Sequence, residues 1–273
     1  MNRLVKLRFN VVPAEDIIIP PFSSKVSKTI LIRVIPELES LFNEKEAVKP
    51  IVTSPIFREG KPLVKYKDGE DKPLALFSNT PYYFETTLIG DLTFKLTDIL
   101  TNLIDRKVEV YNGKIRIADV QVEVKSFDQL SFPSSSYVRF DFLTPILLTL
   151  PLSKEKYGYV RHFLFPHPYL IFYSLIMHWN KFAPRENIIL APSKLARYGY
   201  YTLLEADYDI QPKTVIYDSS RKPRGFVGWA IFERKTKKRK YDLLISKLLD
   251  YANYIGIGRS RTIGFGKVII KPA

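Results

Sequence analysis

Four glycines in the last eighteen residues constrain this chain more than any other feature. They bracket two arginines in Gly256-Ile257-Gly258-Arg259-Ser260-Arg261-Thr262-Ile263-Gly264-Phe265-Gly266. Glycine admits backbone with positive φ and lets a ligand or a second backbone come close. The pattern invites comparison with nucleotide loops, but the order of elements excludes them. Rossmann and P-loop motifs run strand, glycine loop, helix, with phosphate at the helix N-terminus. Here apolar spacing predicts a helix over 241–254 before the loop and a strand over 267–271 after it. No Lys-Ser/Thr pair closes the loop either. The chain must therefore tuck a basic, glycine-rich turn between a helix and its last strand, and no cofactor is expected.

Charge narrows the partner. Forty-two Lys and Arg stand against twenty-eight acids, a net charge of +14. Such a surplus favours a polyanion, and with 14% aromatic residues the reading is nucleic acid rather than an anionic membrane surface, a generally basic proteome or a ribosome-associated protein being the alternative. No apolar run approaches the ~20 residues that cross a bilayer. The first residues begin an alternating strand instead of a signal peptide, so a cytoplasmic location is expected. Cysteine is absent, which removes disulfides, thiol nucleophiles and thiolate metal sites. His162, His167 and His178 have no carboxylate or second histidine at a ligand spacing. No metal site is expected, and each histidine reads as structural or surface.

Periodicity supplies the organisation. Residues 3–11 alternate as a strand, and Pro20-Pro21-Phe22-Ser23-Ser24 stops it and offers a serine N-cap. Val26, Ile30, Val34 and Ile35 then recur at helical spacing. Strands are expected at 51–57, 63–66, 74–77 and 82–88, and a second helix on Leu92, Leu96, Ile99, Leu100 and Leu103. Segments 108–111 and 114–124 pair across Asn112-Gly113, a strong hairpin signal. Residues 127–136 read as a linker. Beyond it come a strand over 137–150 bent near Pro145, a buried helix over 169–182, strands at 203–210, 214–217 and 226–232, then the terminal helix, loop and strand. Each half reads strand, helix, hairpin, helix, strand. The fold class is α+β, with two tandem ferredoxin-like (RRM-like) βαββαβ domains and a cleft between them. Residues 1–126 form the first domain and 137–273 the second, which carries the glycine loop.

Three groups of cations are candidate RNA contacts. Lys25 and Lys28 fall in the first turn of the first helix, where a cation opposes the macrodipole. That placement points to a bound anion shared with the helix amides; two solvated lysines are the alternative. Arg234-Lys235-Thr236-Lys237-Lys238-Arg239-Lys240 has six cations in seven positions. It is either a solvated loop or, beside Phe226, Trp229 and Phe232, a track for an RNA backbone. Arg224-Gly225-Phe226 opens like the RNP1 signature before Val227-Gly228 breaks it.

The terminal stretch resembles the G-x-G-x5-G-x-G loop of the RAMP superfamily. The opening strand, Pro20-Pro21-Phe22 before a helix, and Val48-Lys49-Pro50 before a strand resemble one branch of it, the CRISPR-associated endoribonucleases that cut precursor CRISPR RNA within repeats. The resemblance implies a metal-independent cut by the ribose 2′-OH, leaving a 2′,3′-cyclic phosphate and a 5′-OH. Many members use a histidine of the first helical region with tyrosine and lysine nearby. This chain has no histidine in its first half; the matching region reads Asn43-Glu44-Lys45-Glu46, with Arg33 where a tyrosine would stand. Catalysis would then fall to Lys25, Lys28 and Lys49, which stay charged and stabilise the phosphorane and the leaving oxygen. Arg224, Arg234, Lys237, Lys238, Arg259, Ser260 and Arg261 would hold flanking RNA, with Gly256, Gly258, Gly264 and Gly266 shaping the loop. Implied partners are CRISPR repeat RNA, a CRISPR effector complex and a second copy of the chain. A non-catalytic RNA-binding subunit of a CRISPR ribonucleoprotein, or a general RNA-binding protein, are the alternatives.

Overall fold

The alternation in β1 (Arg3–Pro13) gives the strand two working faces. In the computed structural model, which describes residues 2–46, 48–69, 72–90, 103–151 and 156–273, Val5, Leu7, Phe9 and Val11 are buried on one face. Lys6 and Arg8 stand on the other. After β2 (Ile17–Ile19) come helices α1 (Ser24–Val34) and α2 (Leu38–Asn43). The short strands β3 (Ile51–Thr53), β4 (Phe57–Arg58), β5 (Lys61–Pro62) and β6 (Leu74–Leu76) lead into β7 (Tyr82–Gly90). The hairpin β8 (Lys107–Val110) and β9 (Gly113–Ser126) completes the first domain. Its sheet runs β5-β4-β7-β1-β9-β8, with β3 also beside β7 and β2 paired to β6 apart from it. Val26, Ile30, Leu31 and Val34 of α1 pack on the inner face, where Phe9 and Phe84 stack at 4.9 Å.

The second domain opens with β10 (Tyr137–Ile146), which shifts register between Phe142 and Ile146, at the expected bend by Pro145. β11 (Leu148–Thr149) pairs with β12 (His162–Phe163). Helix α3 (Pro168–Phe182) is followed by α4 (Pro192–Thr202), a helix the sequence reading does not anticipate. Then come β13 (Leu203–Thr214), β14 (Arg224–Arg234), helix α5 (Arg239–Ile255) and β15 (Val268–Pro272). The sheet order is β13-β14-β10-β15. Trp179 of α3 and Tyr251 of α5 meet edge to face at 5.1 Å in its core. Phe127, Leu130 and Phe132, from the segment between the sheets, are buried in that same core.

The antiparallel sheets and their helices match the expected α+β architecture of two ferredoxin-like domains. The second helix expected on Leu92, Leu96, Ile99 and Leu100 lies outside the described residues; Leu103, at its end, is buried in the first core. The hairpin turn sits one residue earlier than expected. Gly113 pairs with Val110, so Tyr111 and Asn112 make the turn, and Tyr111 takes φ +54°. Glycine is needed at 113 for another reason: a Cβ there would lie 2.7 Å from the Ile17 side chain. Among the described residues, no helix is long and apolar enough to cross a membrane.

Candidate nucleic-acid interface

The glycine loop leaves α5 directly and folds back on itself. Gly256 (φ +71°) ends the helix, and the Ile257 amide donates to the Gly266 carbonyl at 2.8 Å. A Cβ on Gly266 would stand 2.2 Å from the Ile257 oxygen, so backbone fills the space a side chain would need. At its tip Ser260 is left-handed (φ +62°) and opens a 3-10 turn, Arg261–Ile263. Gly264 (φ +97°) then lies on the start of α1, where a Cβ would come within 2.6 Å of Ser24. The Ser24 hydroxyl donates to the Ile263 carbonyl at 2.6 Å, and Thr262 Oγ1 donates to the Ile51 carbonyl at 3.1 Å. A loop of the second domain is thus fastened to the first.

This contact corrects the anion site expected at the first turn of α1. Ser23 occupies the N-cap position without capping; its hydroxyl instead accepts from the Ile56 amide at 2.9 Å. The amides of Val26 and Ser27 bond to the Ser23 carbonyl, and that of Lys25 to the Phe22 carbonyl. The amides of Lys25, Val26 and Ser27 are thus bonded within the turn, and the glycine loop is fastened over it, so these three are not open to a phosphate. The two lysines also diverge. The Lys28 ammonium lies 5.0 Å from the Phe42 ring centre, and that of Lys25 lies 4.7 Å from Tyr217.

Lys28 faces a cavity of about 480 Å³ between the domains. The first domain contributes Lys28, Lys49 and Val52 to its wall; the second contributes Tyr173, His178 and loop residues 258–263. Among the described residues four cations, Lys28, Lys49, Arg259 and Arg261, line it, and no carboxylate does. Burial, and then the charge of Lys49, lower the Lys28 pKa, with Glu39 opposing. The Lys49 ammonium donates to the Phe42 carbonyl at 2.5 Å, which fixes its position on the wall.

The two arginines of the loop part company. Arg259 is exposed at the rim. Arg261 turns inward, where its Nη2 donates to the Ser174 carbonyl at 3.3 Å and its Nη1 is buried with no partner among the described residues. Burial pushes its pKa down to about 10, against the pull of Tyr251. Beside it, His178 shares a hydrogen bond through Nδ1 with the Tyr251 hydroxyl at 2.8 Å and makes another to the backbone of Lys49. Burial, and then the charge of Arg261, hold its pKa well below the usual imidazole range. The sequence reading passed over His178 as a wall residue. Its signal was a polar ring set in an otherwise apolar helix face.

A second hollow, about 360 Å³, adjoins the first through Ser260. Tyr217, Arg221 and Lys222 line it. The Arg221 guanidinium lies 4.6 Å from the Tyr217 ring and pairs with Asp218 at 2.6 Å. Lys25 and Arg221 therefore both sit against one tyrosine. Arg224, singled out for its RNP1-like context, is opposite Thr214 at the end of β14 and lines neither hollow. The basic cluster Arg221-Lys222-Pro223-Arg224 was the available signal for its neighbours.

Arg234 and Lys237 lie elsewhere. They border a hollow at the N-terminal end of α5, where Arg234 Nη2 donates to the Asp242 carbonyl at 3.1 Å. The Lys238 amide donates to the Tyr198 hydroxyl at 2.9 Å in the same region. The glycine loop is at the other end of this 17-residue helix, roughly 25 Å away at 1.5 Å per residue.

Comparison with known proteins agrees with this architecture. Residues 5–125 match the Cas6 N-terminal domain model, and residues 140–268 match the model of the CRISPR-associated endoribonuclease Cas6. The chain is 27% identical over 288 residues to CRISPR-associated endoribonuclease Cas6 1 of Saccharolobus solfataricus, covering 98% of this chain and 96% of that one. A solved Thermus thermophilus Cas6 superposes with a TM-score of 0.69 at 17% identity, covering 99% of both chains. A Cas6 solved as a substrate mimic complex gives a TM-score of 0.67 at 17% identity, over 98% of this chain and 99% of that chain. With both halves matched in the order and extent of the family, the chain belongs to the Cas6 family of CRISPR-associated endoribonucleases.

Proposed function

We propose that this endoribonuclease cuts precursor CRISPR RNA within its repeats, with the scissile phosphate resting where the two hollows meet at Ser260. One observation carries the reading: four cations converge on a cavity spanning both domains whose lining, among the described residues, offers no carboxylate. Uncompensated cations at such a seam attract a polyanion and stabilise charge that develops on it. Lys28 lines the larger hollow, and Lys25 stands against Tyr217, a wall residue of the smaller one.

The ribose 2′-oxygen attacks phosphorus as its proton passes to solvent. The P–O5′ bond breaks, leaving a 2′,3′-cyclic phosphate and a 5′-OH. Lys28 and Lys49 spread the phosphorane charge. The lowered Lys28 pKa also eases proton donation to the departing 5′ oxygen, with the lysine recharged from water. No group in this scheme needs the histidine that the first domain lacks. Arg259 holds the flanking backbone at the rim, while Arg261 supplies fixed positive potential from behind the wall.

The test is end-labelled repeat RNA incubated with the protein in EDTA. The expected result is one cut with a cyclic phosphate end, abolished by a single 2′-deoxy substitution at that site. Cleavage that survives the deoxy substitution would overturn the mechanism, and intact RNA bound tightly would overturn the cut itself.

A further inference from the structure

A row of aromatic rings continues outward from the cavity wall. Tyr173, in the wall, stacks on Tyr169 with ring centres 5.9 Å apart and planes 19° from parallel. Tyr169 meets His167 edge to face at 6.5 Å, and His167 stacks on Tyr200 at 5.0 Å and 7°. Tyr200 abuts Tyr201 at 5.4 Å. The row therefore joins the start of α3 to the end of α4. Packing of one helix on the other accounts for the half-buried rings at its inner end. It does not account for the outer end, where Tyr200 is 41% and Tyr201 68% exposed. Exposed large rings in a continuous patch mark a binding surface rather than a core.

The charge around the row selects the ligand. Between residues 156 and 201 there are six Lys and Arg and one acid, Glu186. Arg161 and Arg197 are exposed there, and the charge of Arg259 at the cavity rim reaches His162 on β12. Just beyond the row the sign reverses: Glu205, Asp207 and Asp209 are exposed along β13. Flat rings interleaved with cations suit single-stranded nucleic acid, whose bases stack on the rings while its phosphates meet the charges. The acidic strand sets the far limit.

We propose that Tyr173, Tyr169, Tyr200 and Tyr201 form a stacking track for a short single-stranded segment of RNA leaving the cavity. The track rests on the RNA-cutting reading above and adds to it a site for the nucleotides that flank the cut. It gives the enzyme a hold on unpaired RNA that does not depend on sequence, because every base has a π face.

The experiment measures affinity for labelled repeat RNA made uncleavable by 2′-deoxy substitution at the scissile position. Wild type is compared with the Tyr200→Ala/Tyr201→Ala and Tyr200→Phe/Tyr201→Phe pairs, with sedimentation velocity run on each. The alanine pair is expected to weaken binding at least tenfold, and the phenylalanine pair to keep it within twofold, since the rings remain. RNA shortened on the track side should erase the difference between wild type and the alanine pair. Equal affinity of all three proteins would overturn the track. So would an alanine pair that turns a dimer into a monomer with unchanged RNA affinity, which would make this face a contact between copies. If wild type cuts the all-ribose repeat yet the alanine pair binds like wild type, the track alone is lost. If wild type neither binds nor cuts it, the RNA reading falls as well.

Discussion

The seam between the two domains carries cations on both of its sides and treats them differently. On the cavity side, Lys28, Lys49, Arg259 and Arg261 gather with no carboxylate among the described residues of the lining. On the other side, Lys6 and Lys267 close on one acid, Glu85, with Lys6 at 3.4 Å and Lys267 in a direct hydrogen bond. Burial alone would raise the Glu85 pKa, but the two ammonium groups outweigh it and hold the carboxyl below its ordinary value. Burial pushes Lys267 down, and Glu85 opposes that shift. A buried charge whose partner lies in the same chain serves the fold. A charge left without one is available to a ligand.

Removing the internal partner gives the largest expected effect. Glu85→Gln leaves two ammonium groups facing each other in a largely buried site, and breaking such a pair costs about 3 kcal/mol. Urea unfolding should show that loss, while the cleavage rate of the folded protein stays as in wild type. An unchanged unfolding midpoint would erase the distinction between the two sides. Lys28→Ala makes the reverse change on the cavity side. It should slow single-turnover cleavage at least tenfold, or about 1.4 kcal/mol, with RNA affinity held within a few fold and little change in unfolding. A wild-type rate would remove Lys28 from the chemistry.

Much of this arrangement was readable beforehand, for identifiable reasons. The glycine loop was legible because a helix before it and a strand after it exclude the nucleotide motifs. Lys28 stands out through its place in the first turn of a helix and Lys49 through the resemblance carried by Val48-Lys49-Pro50; both line the cavity. What failed were inferences needing the third dimension. The amides of the α1 turn looked open, yet the Ser23 and Phe22 carbonyls and a loop some 240 residues further on occupy that end. Helix α4 is hard to read from sequence because Gly199 and three neighbouring tyrosines, Tyr198, Tyr200 and Tyr201, are weak helix formers. That glycine is there for packing: a Cβ would sit 2.3 Å from the Phe172 ring. Arg221 was overlooked in favour of Arg224, since a sequence motif says nothing about which side of a hairpin faces the cleft.

The loop arginines sharpen the comparison at smaller scale. Arg259→Ala removes an exposed rim charge, so the slope of log affinity against log salt should fall by roughly 0.7, one phosphate's worth for single strands. An unchanged slope would argue against contact with the backbone. Arg261→Met removes a buried cation with one unpaired nitrogen. The RNA-free protein should lose no stability, because a largely buried charge with no counter-ion among the described residues is replaced by a well-packed apolar side chain. Its RNA affinity should still drop severalfold. A large fall in melting temperature would instead make Arg261 a structural residue of the kind found around Glu85.

His178 offers the subtlest test, because it belongs to the cavity wall yet behaves like a residue of the fold. Tyr251 and the Lys49 backbone hold the ring, and the neighbouring Arg261 disfavours its protonation. Its folded pKa lies below the unfolded value of ~6.5. As pH falls, the unfolded chain takes up the proton first, so the stability this site contributes is complete above that value and declines beneath it. The steepest slope for one proton is about 1.4 kcal/mol per pH unit. His162, also lowered by burial and by Arg259, adds a weaker contribution from an exposed position. His178→Gln can still donate to the Lys49 carbonyl and accept from Tyr251, but it cannot titrate. Urea unfolding at pH 7.5, 6.5 and 5.5 should therefore give wild type a falling stability and the glutamine variant a flatter one. Parallel curves would mean that the acid sensitivity arises elsewhere. Glu85 titrates in a lower range, so a loss confined to pH below about 4.5 would trace instead to the neutralised side of the seam.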